Sequence, residues 1–280
     1  MAYGVFKLRY YPARSCGQLQ KALLALRLIA VVSGVFSFSC GSGEEPAAGP
    51  PPELVVAAAS NLTAAFQEIG KAFSQETGIK IIYNFGATTQ LAQQIKNGAP
   101  FDVFAAADAV HVDQLVQTGK ALADSRTVYA RGRLALWVPE NSKLAIRDMI
   151  DLRQSSVRVV AIANPEIAPY GAAAVEVLKK QNLWETVQPK IVRAENVNAA
   201  KQLAATGNAD AVFTAYSLLL NEPGLVLPMD ASLHSPIDQA LCIVASSSHQ
   251  ASARRFANFV LGEGGRAILA RFGYEFPAVP

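Results

Sequence analysis

Four short stretches of this sequence place hydrogen-bond donors where a predicted strand gives way to a predicted helix. They are AAASNLT at 57–63, NFGATTQ at 84–90, NPEIAPYG at 164–171 and AENVNAA at 194–200. The first four N–H groups of a helix have no partner within the helix, so such a junction can bind an anion. The candidate donors are the side chains of Ser60, Thr88 and Tyr170 and the free backbone N–H groups at Asn196 and Val197.

These junctions carry no Lys, Arg or His, although Arg forks are the usual means of binding carboxylate or phosphate tightly. A shell of neutral donors favours a dianion that arrives fully deprotonated, because it offers no carboxylate to accept an acidic proton. The pattern indicates a tetrahedral oxyanion such as molybdate, tungstate or sulfate in preference to singly protonated phosphate. Ser, Thr and Asn are also ordinary helix caps, so spacing alone leaves capping and oxyanion binding both open.

The elements that position these residues alternate apolar strands with amphipathic helices, which predicts an α/β fold with parallel strands. A first series comprises strands at 54–59, 80–84 and 103–106 and helices at 62–76, 88–97 and 110–118. A β-rich stretch at 127–140 precedes a second series, with strands at 157–163, 190–193 and 211–214 and helices at 170–181 and 197–206. The repeated series predicts two lobes with a ligand cleft between them, at the carboxyl ends of the strands.

The chain is expected to cross between the lobes near Arg131 and again near Ser246. The first lobe would then comprise 53–131 and 247–280, because helical stretches at 252–261 and 266–271 are expected to pack back on it. The second lobe would comprise 132–246.

The first 39 residues have the composition of an export signal. They contain five basic and no acidic residues, so the rest of the chain carries a net charge of −2 although the whole carries +3. An apolar run at 28–36, too short for a membrane span, is followed by small residues before Cys40. The sequence predicts a signal peptide at 1–39, a lipidated Cys40 as first mature residue, and a Pro/Gly-rich tether at 40–52. An ordinary secretory signal and an uncleaved anchor are the alternatives.

Several chemically active side chains receive structural interpretations. Cys242 lies in an apolar strand-like run and is expected to be a buried, inert thiol without a disulfide partner in the folded domain. Asp102 and Asp108 flank a predicted strand and are expected to form turns or caps. The three histidines lack metal-ligand spacing, and the two tryptophans are expected to pack rather than to stack on a ligand.

Beyond the junctions, longer stretches resemble the periplasmic molybdate-binding proteins of ABC importers. They include VVAAASNLTAAFQEI, GAPFDVFAAAD, ANPEIAPYGAAAVEVL, AENVNAAKQLAATGNADAVF and the closing GEGGRAILARFGYEFP. The resemblance covers about 53–277. It implies a type II periplasmic binding-protein fold, in which each lobe is a central mixed sheet flanked by helices and the cleft closes on molybdate or tungstate.

The resemblance also implies a ligand site. Ser60 and Thr88 match the hydroxyl donors, and Val197 matches a backbone N–H donor. Some family members place a binding tyrosine where this chain has Thr214, and others place it where Tyr170 stands. Tyr170 is therefore expected to supply a phenolic donor with help from Asn61, whereas Thr214 is only a possible contributor and Tyr216 is expected to point away.

One further class of function and one further ligand compete with the molybdate-importer interpretation. A hydrolase using Ser60 as nucleophile would need a nearby base and an orienting acid, and the sequence shows no suitable His. Sulfate is the alternative ligand, since it differs from molybdate mainly in size. The expected protein is a monomeric binding component without enzymatic activity, cofactor, protein-ligated metal or nucleic-acid partner. It would deliver molybdate or tungstate to a membrane permease from the periplasm or from the outer face of the cytoplasmic membrane.

Overall fold

The polypeptide is built around two five-stranded mixed sheets, each flanked by helices. A computed structural model of the chain describes residues 52–276. The strands are β1 Glu53–Ala59, β2 Lys80–Gly86, β3 Val103–Ala105, β4 Thr127–Gly132, β5 Leu134–Pro139, β6 Val160–Ala163, β7 Ile191–Ala194, β8 Ala211–Ala215, β9 Gly224–Pro228 and β10 Ile237–Ile243. The helices are α1 Thr63–Thr77, α2 Thr88–Lys96, α3 Val110–Gln117, α4 Pro169–Lys180, α5 Trp184–Val187, α6 Val197–Ala205, α7 Gln250–Leu261 and α8 Glu263–Arg271.

The first sheet has the strand order β2-β1-β3-β10-β4. Strand β1 is parallel to β2 and β3, whereas β10 is antiparallel to β3 and β4. Helices α1 and α2 make the crossovers between the parallel strands, as the alternating pattern of the sequence predicts. The strand β1 lies in the middle of the apolar core, where Leu54, Val56 and Ala58 have no exposed surface.

The second sheet repeats this plan with the order β7-β6-β8-β5-β9. Strand β6 is parallel to β7 and β8, and β5 is antiparallel to β8 and β9. All four residues of β6 are buried, which is typical of a parallel strand covered by helices on both faces. The two mixed sheets confirm the predicted two-lobed α/β architecture.

One boundary expected from the sequence is wrong. The sequence placed 132–246 in the second lobe, but β10 pairs with β3 and β4 of the first sheet, with Leu241 opposite Ala105. The chain therefore returns to the first lobe between Pro228 and Ile237, not near Ser246. The first crossing, between β4 and β5, lies next to Arg131 as expected. The apolar run around Cys242 shows that a strand exists there, but its partners are far away in sequence and leave no local signal.

The predicted roles of the buried thiol and of Asp108 are confirmed, whereas Asp102 forms neither a turn nor a cap but a long-range tie. Cys242 is a free, buried cysteine, and burial raises the pKa of its thiol to about 12. Asp102 accepts hydrogen bonds from the Val55 N–H at 2.7 Å and the Ser247 hydroxyl at 2.6 Å, which ties β1 to the segment after β10. Asp108 accepts from the His111 N–H at 2.9 Å at the start of α3.

The export signal, the lipid site at Cys40 and most of the tether lie outside the described residues, and these predictions remain predictions. Among residues 52–276, no helix is both long and apolar enough to cross a bilayer.

Helix α4 lies unusually close to the end of β6, and Gly171 makes this possible. A Cβ built on Gly171 would lie 2.2 Å from the carbonyl oxygen of Ala163, a backbone atom that cannot move aside. We therefore expect Gly171→Ala to lower the free energy of unfolding by about 1–3 kcal/mol, as overpacking does, measured by urea denaturation. Gly264→Ala is the control, because its Cβ would meet only the Phe259 ring at 3.8 Å. Equal stability of the two variants would contradict this packing argument.

Candidate functional site

The four strand-to-helix junctions singled out in the sequence meet around one small cavity. Its volume is about 10 Å³, close to the space taken by one water-sized sphere. The residues around it come from both lobes: Ala59, Ser60, Asn61, Gly86, Ala87, Thr88, Ala107, Ala168, Pro169, Tyr170, Asn196 and Val197. Five of the predicted ligand-binding residues, all except Thr214, are therefore brought together.

Three of the four helices at this cavity begin without a capping side chain. The residues at their N-caps are Leu62 for α1, Ala87 for α2 and Ala168 for α4, and none of their side chains accepts a hydrogen bond from the helix. Only α6 is capped, by Asn196, which accepts from the Ala199 N–H at 2.9 Å. Capping, the alternative left open by the sequence, therefore does not explain Ser60, Thr88 or Tyr170.

The two hydroxyl groups on the first lobe are available as donors. The Thr88 hydroxyl oxygen accepts a hydrogen bond from the Ala107 N–H at 3.1 Å, so its own proton is free for another acceptor. The Ser60 side chain lies in a 3-10 turn between β1 and α1 and is 5% exposed. Within residues 52–276 its hydroxyl makes no hydrogen bond to the protein, whereas its carbonyl accepts from Thr63 at 2.8 Å.

The second lobe presents the starts of α4 and α6. Pro169 occupies the first position of α4, where its missing N–H removes no helical bond, and Tyr170 follows. Val197 is the first residue of α6, and its carbonyl accepts a hydrogen bond from the Thr214 hydroxyl at 3.1 Å. Thr214 is fully buried and is not part of the cavity wall. Its hydrogen bond therefore holds the Val197 carbonyl from outside the cavity.

The cavity wall contains no Lys, Arg, His, Asp or Glu among the described residues. Its favourable potential for an anion comes from the positive ends of helix dipoles and from first-turn N–H groups without a capping side chain, of which that of Thr89 already donates to the Ile167 carbonyl at 3.3 Å. Such donors are fixed by the backbone, so they require no reorganisation of long side chains when an anion binds.

Next to the cavity lies a buried polar cluster that the sequence did not reveal, formed by Asn61, Tyr129, Tyr170, Gln239 and Tyr274. The amide groups of Asn61 and Gln239 contact each other at 3.0 Å. Gln239 is also 3.0 Å from the Tyr170 hydroxyl and 3.1 Å from the Tyr129 hydroxyl. The Asn61 amide lies 2.9 Å from the Tyr274 hydroxyl.

This cluster joins the two lobes. Tyr170 belongs to the second lobe and Gln239 to the first, and the Ser217 hydroxyl of the second lobe donates to the Asn61 carbonyl at 3.0 Å. The Tyr274 hydroxyl lies 2.9 Å from that carbonyl and 3.0 Å from the Ser217 hydroxyl. Tyr274, the tyrosine of the closing FGY motif, thus makes a contact between the lobes. Tyr216 points elsewhere, with its ring under the Arg133 guanidinium at 4.7 Å.

Gly132 leaves space for this cluster at the point where the chain crosses between the lobes. A Cβ on Gly132 would lie 2.0 Å from the Tyr170 hydroxyl and 2.6 Å from the Gln239 amide nitrogen. The crossing therefore needs a residue without a side chain for the two lobes to meet here.

The three histidines contact residues other than Ser60. His111 lies 2.8 Å from Asp108 and 2.9 Å from the Thr89 hydroxyl, His234 contacts the Ser235 carbonyl, and His249 contacts Asp102. No histidine of the described chain therefore serves Ser60 as a base, and no group of three or more metal-ligating side chains is found in residues 52–276.

Burial keeps the tyrosines of the polar cluster protonated. It raises the pKa of Tyr129 and Tyr170 well above the usual value, and that of Tyr274 to about 12. Tyrosines in the unfolded chain ionise near pH 10. The native state consequently holds these protons more tightly than the unfolded state does.

This difference predicts a loss of stability at high pH. The contribution of these tyrosines to the free energy of unfolding should be constant up to about pH 9 and fall between about pH 10 and pH 12, because over that range only the unfolded chain releases their protons. Urea denaturation at pH 9 and pH 11 measures the fall. In Tyr274→Phe the fall should be smaller by about 1.4 kcal/mol, the contribution of one tyrosine over that interval. An identical fall in the variant would show that Tyr274 titrates normally.

The sequence of this chain is similar to those of known bacterial binding proteins. Residues 54–275 match the family model described as a bacterial extracellular solute-binding protein. The chain is 36% identical to the molybdate-binding protein ModA of Rhodobacter capsulatus over 225 residues, which cover 79% of this chain and 88% of that protein. It is 35% identical to ModA of Azotobacter vinelandii over 240 residues, covering 84% and 94%.

A solved structure agrees with these relatives. The periplasmic molybdate-binding protein of Azotobacter vinelandii superposes with a TM-score of 0.76 at 33% identity, covering 80% of this chain and 99% of that one. A sulfate-binding protein of Mycobacterium tuberculosis, at 19% identity and a TM-score of 0.65, shares the fold. The chain therefore belongs to the family of bacterial extracellular solute-binding proteins that includes the molybdate-binding proteins ModA.

Proposed function

We propose that this protein is the substrate-binding component of an ABC importer, and that it binds molybdate or tungstate in the cavity between its lobes. It performs no chemistry on the ion. Ser60, Asn61, Thr88, Tyr170 and Val197 surround the ion, and Thr214 holds Val197 in place. The relatives above 30% identity carry the name of molybdate-binding proteins, which supports this ligand class.

The observation that carries the proposal is the set of uncapped helix starts around a wall without charged side chains. Helix starts without caps leave N–H groups for an external acceptor. A tetrahedral dianion presents four acceptor oxygens in four directions, which matches donors arriving from four junctions in two lobes.

The site also suggests how ligand and partner are coupled. Donors from both lobes contact one ion, so binding favours the closed arrangement of the lobes, as hinge closure does in this class of receptor. The closed form is the one that the permease receives. We further propose that the protein acts as a monomer outside the cytoplasmic membrane and is held there through a lipid on Cys40.

Size is the property that selects among dianions of equal charge. Sulfate has shorter bonds to oxygen than molybdate, so donors placed for the larger ion lie too far from the sulfate oxygens once the two lobes have met. The likeness to a sulfate-binding protein at 19% identity concerns the fold alone.

Calorimetric titration with molybdate, tungstate, sulfate and phosphate, at one pH and ionic strength, tests the ligand. We expect tight binding of molybdate and tungstate and far weaker binding of the other two. Equal binding of sulfate would make the protein a general oxyanion receptor, and no binding of any of the four would refute the proposal.

Loss of a hydroxyl donor should weaken binding measurably. We expect Ser60→Ala and Thr88→Ala each to make the binding free energy of molybdate less favourable by about 1–3 kcal/mol, the range for a hydrogen bond to a charged group. The same calorimetric titration measures this change. Thr77→Val is the matched control, because its hydroxyl bonds the Phe73 carbonyl at 2.7 Å near the far end of α1. Wild-type affinity in both Ser60 and Thr88 variants would exclude these hydroxyls from the site.

A further inference from the structure

We propose that Ser217 is a positioning residue that holds the Ser60 turn, the 3-10 turn Ser60–Leu62, when the lobes close, and that it thereby slows release of the bound oxyanion. The inference rests on the proposed function and assigns a role to a residue outside the cavity wall. Ser217 belongs to the second lobe, in the short 3-10 turn Tyr216–Leu218 that follows β8. It is buried, with 6% of its surface exposed.

The Ser60 turn carries donors of the first lobe, because Ser60 and Asn61 both belong to the cavity wall. Inside the first lobe the Ser60 carbonyl accepts a hydrogen bond from the Thr63 hydroxyl at 2.8 Å. The next carbonyl, that of Asn61, is 3.0 Å from the Ser217 hydroxyl of the other lobe. The backbone of the turn is therefore held directly by the second lobe.

The Tyr274 hydroxyl, which belongs to the first lobe, completes a triangle of oxygen atoms. It lies 2.9 Å from the Asn61 carbonyl and 3.0 Å from the Ser217 hydroxyl. The triangle has three contacts and two hydroxyl protons, and each of its oxygens is able to accept. In every placement of the two protons within the triangle, Ser217 donates to the first lobe, either to the carbonyl or to Tyr274. The link between the lobes does not depend on which placement is adopted.

The segment that carries Ser217 also supports the donor site of the second lobe. Three residues earlier, the Thr214 hydroxyl donates to the Val197 carbonyl at 3.1 Å, at the start of α6. Between them the Tyr216 N–H donates to the Arg133 carbonyl at 2.9 Å, beside the crossing between the lobes. Residues 214–217 thus connect the start of α6 with the Ser60 turn. Their hydrogen bonds place donors from the two lobes relative to each other.

The bond between Ser217 and Asn61 depends on closure, because its two groups lie in different lobes. An increase of about 0.6 Å in their separation takes the pair beyond hydrogen-bond distance. Water then bonds both groups when the lobes are open. The bond consequently stabilises the closed, ion-bound form and contributes little to the open form that an ion enters. Its loss should change the rate of release and leave the rate of entry unchanged.

Release of radiolabelled molybdate from Ser217→Ala into an excess of unlabelled molybdate tests this role. We expect release about fivefold faster than from the wild-type protein, the effect of one buried hydrogen bond. The association rate should stay within about twofold of the wild-type rate, since most affinity differences between related complexes lie in the dissociation rate. Release at the wild-type rate would overturn the proposal.

Two further variants separate this role from a general loss of stability. Ser156→Ala removes an exposed hydroxyl of the second lobe that contacts only its neighbour Gln154, at 3.4 Å, so release should be unchanged. Tyr274→Phe removes a hydroxyl that bonds Asn61 within the first lobe, so it should lower the Tm of the ligand-free protein. Ser217→Ala should leave that Tm at the wild-type value. A drop in Tm as large as that of Tyr274→Phe would assign Ser217 a general structural role and overturn the proposal.

The two proposals fail in different ways. Failure of the wild-type protein to bind any oxyanion refutes the proposed function and the inference with it. Wild-type binding of molybdate together with an unchanged release rate in Ser217→Ala refutes the inference alone.

Discussion

The organisation of this protein follows from one constraint, that the first N–H groups of a helix need acceptors outside the helix. Most helices meet this need with a capping side chain or with water. Here α1, α2 and α4 begin at a buried cavity without a capping side chain. These three helices therefore lack the stabilisation that a capping side chain would give. Their first N–H groups remain as donors, and the two sheets fix the directions of those donors.

The sheets matter because they fix where the junctions lie. In each lobe the parallel strands end at the same edge of the sheet, and the helices that follow start there. Two such edges facing each other bring four helix starts together, which no single sheet of this size would do. The buried cluster around Gln239 and Tyr274 then joins the lobes beside the cavity, while Gly132 lets the chain pass between them.

Much of this arrangement is visible in the sequence, because a strand that runs directly into a helix is a local pattern. Thr88 and Val197 are the first residues of their helices, as predicted. The sequence could not place β10 in the first sheet, since its partners β3 and β4 are distant in the chain. For the same reason the sequence did not single out Gln239, although an amide directly before the apolar second half of β10 was a possible signal. The role of Tyr274 depends on contacts with Asn61 and Ser217 that no local pattern encodes.

The location of the ion is the central claim, and anomalous X-ray diffraction tests it most directly. Crystals grown with molybdate would be measured on both sides of the molybdenum absorption edge. The account predicts one strong anomalous peak in the cavity between the lobes, with ligand oxygens at hydrogen-bond distance from the Ser60 and Thr88 hydroxyls and the Val197 N–H. A peak outside this cavity, or an ion held by Lys or Arg side chains, would contradict it.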